Sequence, residues 1–134
     1  MIGHNESSPR KVVLVADDNE DILALIAVSL KLADLEVLLA RDGEEALELA
    51  LDRKPDLAVL DVRMPHLNGH EVLRRIRRNS KLEMPVILVS AMASEEAIAE
   101  GRREGADDYI TKPFRPQELL KKAEAALAGE PIPS

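Results

Sequence analysis

Residues 11–20, KVVLVADDNE, join an apolar run directly to two adjacent carboxylates. The run Val12–Ala16 is rich in branched side chains and too short for a helix, so it predicts a strand buried on both faces. The same join recurs three times along the chain. Asp61 follows Leu57–Leu60, Ser90 follows Val86–Val89, and Lys112 comes just past Tyr109-Ile110. Helical patterns separate these runs, and in an open parallel α/β sheet ligands bind at the carboxyl ends of the strands. The fold is therefore expected to gather three carboxylates, a hydroxyl and an ammonium at one edge of the sheet. Such a set can bind a divalent cation and then a phosphoryl group.

Working outward, strands are expected at Lys11–Ala16, Leu35–Ala40, Asp56–Leu60, Pro85–Val89 and Asp107–Ile110. Helices are expected at Glu20–Leu32, Glu44–Asp52, Gly69–Asn79, Glu95–Arg103 and Pro116–Ala128. Strict alternation of five strands with five helices argues for an α/β fold, a doubly wound five-stranded parallel sheet between two helical layers. Asp42 with Glu45 and Asn68 with Glu71 have capping-box spacing, and Ser94 precedes two acids suited to a helix N-terminus. Pro116 suits a first helical turn, and Gly105 a helix end. Gly101 falls inside the fourth helix, where it costs ~1 kcal/mol relative to Ala, so that helix is the expected mobile element. The fifth helix carries a stripe of Leu119, Leu120, Ala123, Ala126 and Leu127, whose first expected role is core packing.

The 134 residues suffice for one domain with its own core. Residues 10–128 are expected to form it, with a disordered tail expected at 1–9 and a C-terminal tail at 129–134. No cysteine is present, which excludes disulfides and thiolate metal sites. No apolar stretch approaches the roughly 18–20 residues of a membrane span. The opening MIGHNESSPRK lacks the apolar region of a secretion signal, so a cytoplasmic address is expected. A net charge of −7 argues against direct nucleic-acid binding, which needs clustered cations. The single basic cluster, Arg74, Arg75, Arg77 and Arg78, reads first as a solvated helix face and second as a patch for an acidic partner. His4, His66 and His70 lack the convergent spacing of a zinc site.

Three carboxylates placed together without a cation repel one another and raise at least one pKa. Mg²⁺ relieves this, being hard, oxygen-seeking and content with one or two carboxylates beside its waters. Asp17-Asp18-Asn19 reads equally well as a cap for the first helix. Asp61 is harder to explain that way, because Met64-Pro65 delays any helix. Carboxylates can act as nucleophiles that form aspartyl phosphates, and Asp61 is the best candidate. Lys112 supplies a point charge for a phosphoryl oxygen and Ser90 a hydroxyl donor.

The stretches VLVADDNE (13–20), VLDVRMPHLNG (59–69), VILVSAM (86–92) and GADDYITKPF (105–114), in this order, resemble the receiver domain of two-component response regulators. The resemblance covers roughly residues 11–127 and implies the flavodoxin-like three-layer α/β/α fold. It implies that Asp61 is the phosphoacceptor and that Asp18, Asp61 and the backbone carbonyl of Arg63 ligate Mg²⁺, with Asp17 acting through water. It implies Lys112 as the phosphoryl-binding lysine, Ser90 and Tyr109 as a switch pair, and a cis Lys112-Pro113 bond. The phosphoryl donor would be a phosphohistidine on a sensor histidine kinase or phosphotransfer protein. The changed surface, on the fourth helix, fifth strand and fifth helix, would meet a downstream effector protein.

No output domain is expected in this chain, and a monomer or a weak phosphorylation-dependent dimer is expected. Arg63 and Met92 could overhang the phosphoryl group and slow its hydrolysis, or could be loop side chains with no kinetic role. Slow loss of phosphate is the expectation, and a faster loss in wild type than in Arg63→Ala or Met92→Ala would contradict it. Two other readings predict different sequences. An aspartyl-nucleophile phosphatase of the haloacid-dehalogenase type carries a second Asp two residues after the first, where this chain has Arg63. An inert interaction domain would lack the acceptor or the lysine, and both are present.

Overall fold

The computed structural model describes residues 9–79, 81–92 and 94–133. Five strands alternate with five helices. The strands are β1 (Val12–Ala16), β2 (Glu36–Ala40), β3 (Leu57–Asp61), β4 (Val86–Ser90) and β5 (Asp108–Thr111). The helices are α1 (Glu20–Leu32), α2 (Gly43–Arg53), α3 (Gly69–Arg78), α4 (Glu95–Arg103) and α5 (Pro116–Ala128). All strand pairs are parallel, in the order β2-β1-β3-β4-β5. The doubly wound fold expected from alternation is the one observed. Reversal of the strand order at β1 leaves a crevice beside β3, which is where such sheets hold ligands.

The period of two along each strand divides the core. Val13, Val15, Leu57, Val59, Ile87, Val89 and Ile110 pack against α1 and α5. Leu14, Ala16, Ala58, Leu60, Val86, Leu88 and Tyr109 pack on the side of α2, α3 and α4. Both faces of β3 and β4 are buried throughout, which explains why those runs are apolar rather than alternating. In α5, Leu119 and Ala123 are fully buried while Leu120, Ala126 and Leu127 pack partly, so the stripe is core as expected.

Several strand ends lie one residue later than the sequence pattern predicts. Hydrogen bonds continue the ladder past the apolar run: Val62 N donates to Val89 O at 2.8 Å and Lys112 N to Ser90 O at 2.8 Å. Polar Asp61, Ser90 and Thr111 are thereby held in strand geometry that hydrophobicity alone does not signal. Helix starts behave as the cap residues dictate. Asn68 and Glu71 form the reciprocal capping box. Asp42 accepts from Glu45 N at 2.8 Å, whereas the return arm of Glu45 accepts from Arg41 N at 2.8 Å, one residue earlier than the box pattern.

Gly101 has a packing reason. A Cβ there would come within 3.1 Å of Leu88 Cδ1 and 3.3 Å of Tyr109 Cδ2, so its absence lets α4 settle on the sheet. The expected helix-propensity cost is therefore offset by contact. The arginine cluster is less solvated than its composition predicts. Arg77 donates to Gly105 O, Met84 O and Asp107 Oδ2, tying α3 to the starts of β4 and β5, while Arg75 and Arg78 stay exposed. The expectation of a disordered segment at 1–9 falls almost wholly outside the described residues. After α5 the chain passes over Lys122, whose buried ammonium donates to Pro133 O at 2.7 Å and to Asp108 Oδ2 at 2.6 Å.

Candidate functional site

Backbone register decides which side chains meet. Asp17 continues the parity of Val13 and Val15, Asp61 ends the parity of Leu57 and Val59, and Lys112 continues that of Ile110. All three therefore fall on the α1–α5 side of the sheet edge. Lys112 Nζ donates to Asp61 Oδ2 at 2.9 Å and to Asp17 Oδ2 at 3.1 Å. Asp17 and Asp61 are both buried, while Asp18 is exposed. Oxygens of Asp17, Asp18 and Asp61 lie within 4.8 Å of one another, close enough to share one cation.

The cap reading of Asp17-Asp18-Asn19 is resolved by the hydrogen bonds. Asn19 alone caps α1, accepting from Asp21 N at 2.9 Å and Ile22 N at 3.1 Å. Asp17 Oδ1 accepts from Asn19 N at 2.9 Å, which aims its other oxygen at Lys112. Asp18 takes no part in capping among the described residues. It faces an open cleft of about 400 Å³ bounded by Val62, Arg63, Met64, Pro65 and Asn68.

The electrostatics are those of an anion cluster that lacks enough cation. Burial raises the Asp61 carboxyl above its usual range and the Asp17 charge adds to that, against hydrogen bonds from Lys112 and Arg63 N that oppose it. Burial alone would lower the Lys112 ammonium, but its bonds to Asp61 and Asp17 outweigh burial and raise it. Three carboxylates and one ammonium leave net negative charge in a partly buried pocket. Hard oxygen donors at this spacing suit Mg²⁺ or a similar divalent ion.

The other expected residues surround this trio. Ser90 is the register neighbour after Val89, which pairs with Asp61, and its Oγ accepts from Met92 N at 3.0 Å. It makes no hydrogen bond to the trio among the described residues. Tyr109 shares the opposite parity and lies buried beside Gly101 and Leu88. Arg63 is exposed, with its N–H donating to Asp61 Oδ1 at 3.2 Å, and Met92 is 62% exposed. The Lys112-Pro113 peptide is cis. His66 sits exposed on the β3–α3 loop, its Nδ1 3.9 Å from Glu44.

One cluster escaped the sequence reading. His70 Nδ1 pairs with Glu104 at the C-cap of α4, and Arg74 Nη1 donates to the other Glu104 oxygen at 2.6 Å. The signal was the i, i+4 pair on α3, but its partner lies 34 residues away. Burial alone would raise the Glu104 carboxyl, yet the hydrogen bonds and charges of His70 and Arg74 outweigh it and hold it low. A depressed carboxyl contributes stability that is present above its unfolded pKa near 4.5 and lost as pH falls through the lower folded value. Acid unfolding is expected to shift to higher pH in Glu104→Gln, read by circular dichroism between about pH 5 and 2.

Comparison with known proteins places this geometry. The family model for the response regulator receiver domain matches residues 13–124. The phosphate regulon transcriptional regulatory protein PhoB of Pseudomonas aeruginosa is 41% identical over 118 residues, covering 87% of this chain and 52% of that protein. The alkaline phosphatase synthesis transcriptional regulatory protein PhoP of Bacillus subtilis is 44% identical over 122 residues, covering 91% of this chain and 50% of that protein. The chain thus spans about half the length of these relatives. The receiver domain of the Francisella response regulator 1452 superposes with a TM-score of 0.85 at 36% identity, covering 90% of this chain and 98% of that one. With its five parallel strands, its acidic edge and its lysine, the chain belongs to the response regulator receiver domain family.

Proposed function

We propose that this chain is a phosphorylation-controlled switch whose acceptor is Asp61. The observation that carries the reading is the double contact of Lys112 with Asp17 and Asp61 beside the exposed Asp18. A lysine held against two carboxylates that are themselves short of cation is a phosphoryl site before the phosphoryl group arrives.

In the proposed reaction an ionised Asp61 oxygen attacks the phosphorus of a phosphohistidine on a kinase or phosphotransfer protein. The new O–P bond forms as the P–N bond breaks, and the imidazole leaves with its electron pair and takes up a proton. Lys112 donates to a phosphoryl oxygen and offsets the charge that arrives. Asp18, Asp61 and the Arg63 carbonyl would hold Mg²⁺, with Asp17 reaching it through water. Bound there, Mg²⁺ supplies charge neutralisation for a transferring phosphoryl group. No separate substrate is turned over, so the protein acts as its own phosphoacceptor rather than as an enzyme on small molecules.

Phosphorylation replaces a carboxylate with a group bearing stronger charge and more acceptor oxygens. Ser90 would leave Met92 N to donate to it, and Tyr109, packed against Gly101, would turn into the space left behind. The surface of α4, β5 and α5 would change and meet an effector protein. A shift from about 1% to 99% active needs roughly 5.5 kcal/mol of differential stabilisation. One charge-assisted hydrogen bond contributes about 1.5–3 kcal/mol, so Ser90 and Lys112 must act with the cation, or partner binding must complete the change. The proposed site of action is the cytoplasm, where a kinase can draw its phosphoryl group from ATP. Among the described residues no helix is long and apolar enough to cross a membrane.

The test is intact-mass spectrometry after incubation with Mg²⁺ and acetyl phosphate. Wild type is expected to gain one phosphoryl group and Asp61→Asn none. Equal gain in both would move the acceptor elsewhere. No gain in wild type from acetyl phosphate or from a phosphorylated histidine donor would overturn the reading.

A further inference from the structure

The segment that follows α5 stays on the domain. Gly129 N donates to Ala126 O at 3.2 Å and Glu130 N to Ala125 O at 2.9 Å, with Gly129 at a φ of 72°. These are the paired bonds of a Schellman motif, which reverses the chain at a helix end. Pro131 and Pro133 keep the residues beyond it from resuming a helix. The reversal brings Pro133 O to 2.7 Å from Lys122 Nζ, 11 residues earlier in the chain. Lys122 is thereby buried, while Lys121 beside it is exposed.

Little else holds the segment down. Glu130 and Pro131 are exposed, and Ile132 and Pro133 only half-buried. A recess of about 300 Å³ separates Gly129, Glu130 and Ile132 from Glu83, Pro85 and Asp107. Among the described residues, Ile132 joins neither core cluster. A segment with so few buried apolar contacts opens at lower free energy than the core it covers.

Beneath it, one carboxylate joins three elements. Lys122 Nζ donates to Asp108 Oδ2 at 2.6 Å, and Arg102 Nη2 to Asp108 Oδ1 at 3.4 Å. Arg102, Asp108 and Lys122 stand on α4, β5 and α5, and Pro133 O links them to the segment. Arg102 follows Gly101, and Asp108 precedes Tyr109, whose ring packs on that glycine. Movement of Tyr109 away from Gly101 therefore disturbs the carboxylate that orients Lys122.

We propose, on the reading of Asp61 as acceptor, that Gly129–Pro133 is a displaceable strap. It holds the resting α4–β5–α5 surface and is released when Asp61 carries a phosphoryl group. Release frees Lys122 and clears the α5 side of the surface on which an effector protein would dock. Coupling between two equilibria is reciprocal, so loosening the strap favours binding at Asp61 by the same factor.

Acetylation of the full chain by an amine-reactive reagent tests this, with Lys122 read against Lys121 by peptide mass spectrometry. In resting wild type Lys122 is expected to react about ten times more slowly. Beryllium fluoride with Mg²⁺, a stable stand-in for the phosphoryl group, is expected to raise the Lys122 to Lys121 ratio about tenfold in wild type. It is expected to leave the ratio of Asp61→Asn unchanged. Gly129→Val and Ile132→Asp are each expected to raise the ratio without beryllium fluoride. A Cβ at Gly129 meets nothing within 4 Å, so the first acts only through the left-handed backbone that valine resists. The second faces Glu83 and Asp107 across the recess. Both variants are expected to bind beryllium fluoride about tenfold more tightly by fluorine NMR, and circular dichroism confirms that they are folded. An unchanged ratio in wild type whose fluorine signal shows bound beryllium fluoride overturns the strap and leaves the acceptor standing. Absence of bound signal in wild type overturns the acceptor reading and the strap with it. Variants that expose Lys122 yet bind beryllium fluoride no more tightly also overturn the strap, as does a resting Lys122 as reactive as Lys121.

Discussion

Gly43→Val is expected to destabilise the protein by about 3 kcal/mol or more, at the upper end of overpacking costs. A Cβ at Gly43 would sit 1.8 Å from Leu67 O and 2.5 Å from Leu67 C and Cβ. The obstruction is backbone on both sides, so no rotamer change relieves it. Gly43 also donates its N–H to Pro65 O at 3.3 Å, which closes α2 onto the β3–α3 loop. Replacing glycine in a helix ordinarily gains up to ~1 kcal/mol, too little to offset a clash of this depth. The loop that would yield carries Arg63 and leads into Gly69, whose own Cβ would meet Asp61 O at 2.5 Å. The variant is therefore expected to lose divalent-cation affinity along with stability. Urea unfolding and calorimetric Mg²⁺ titration check the two effects, and an unchanged unfolding midpoint would show that α2 can move away at little cost.

Lys112→Met is expected to lower the rate of phosphoryl uptake by about 10²–10³, the usual loss when a preorganised donor to developing charge is removed. Its cation-binding effect should run the opposite way. In the resting protein Lys112 occupies oxygens of both Asp17 and Asp61, at 3.1 and 2.9 Å, and repels any ion that shares them. Without it the three carboxylates remain with no internal partner cation at the sheet edge, so Mg²⁺ should bind more tightly. Methionine keeps the length and apolar stem, which isolates the ammonium. Stopped-time mass spectrometry with acetyl phosphate and calorimetry with Mg²⁺ read the two quantities. A fall in both would mean that Lys112 chiefly maintains the shape of the site.

Both expectations depend on how neighbouring elements approach one another, and that marks the limit of sequence reading for this chain. The apolar runs Val12–Ala16, Leu57–Leu60 and Val86–Val89 predict parallel strands because burial on both faces tolerates only such residues. Strand alternation with capped helices then leaves few topologies, so Asp17, Asp61, Ser90 and Lys112 can be placed at one edge before any coordinates are known. Features set by local chemistry were legible: Asn68 and Glu71 form their box, and α1, α4 and α5 have the expected bounds.

Contacts between elements distant in sequence were not legible. Whether Asp17-Asp18 or Asn19 caps the first helix was a matter of side-chain direction, and Asn19 takes the cap. Arg77 and His70 belong to an arginine-rich, solvated-looking stretch, and only the approach of β5 and α4 gives them partners in Asp107 and Glu104. Gly101 looks like a weak helix position until the Tyr109 ring stands against it, and Gly43, one residue before the helix expected at Glu44, shows no sign in sequence of the Leu67 carbonyl that abuts it. The sequence by itself determined the strands, the layers and the edge at which polar residues collect, since periodicity and burial act locally along the chain. Tertiary structure alone decided which of those residues touch, because hydrogen-bond reach is a few ångströms and the partners arrive on different strands.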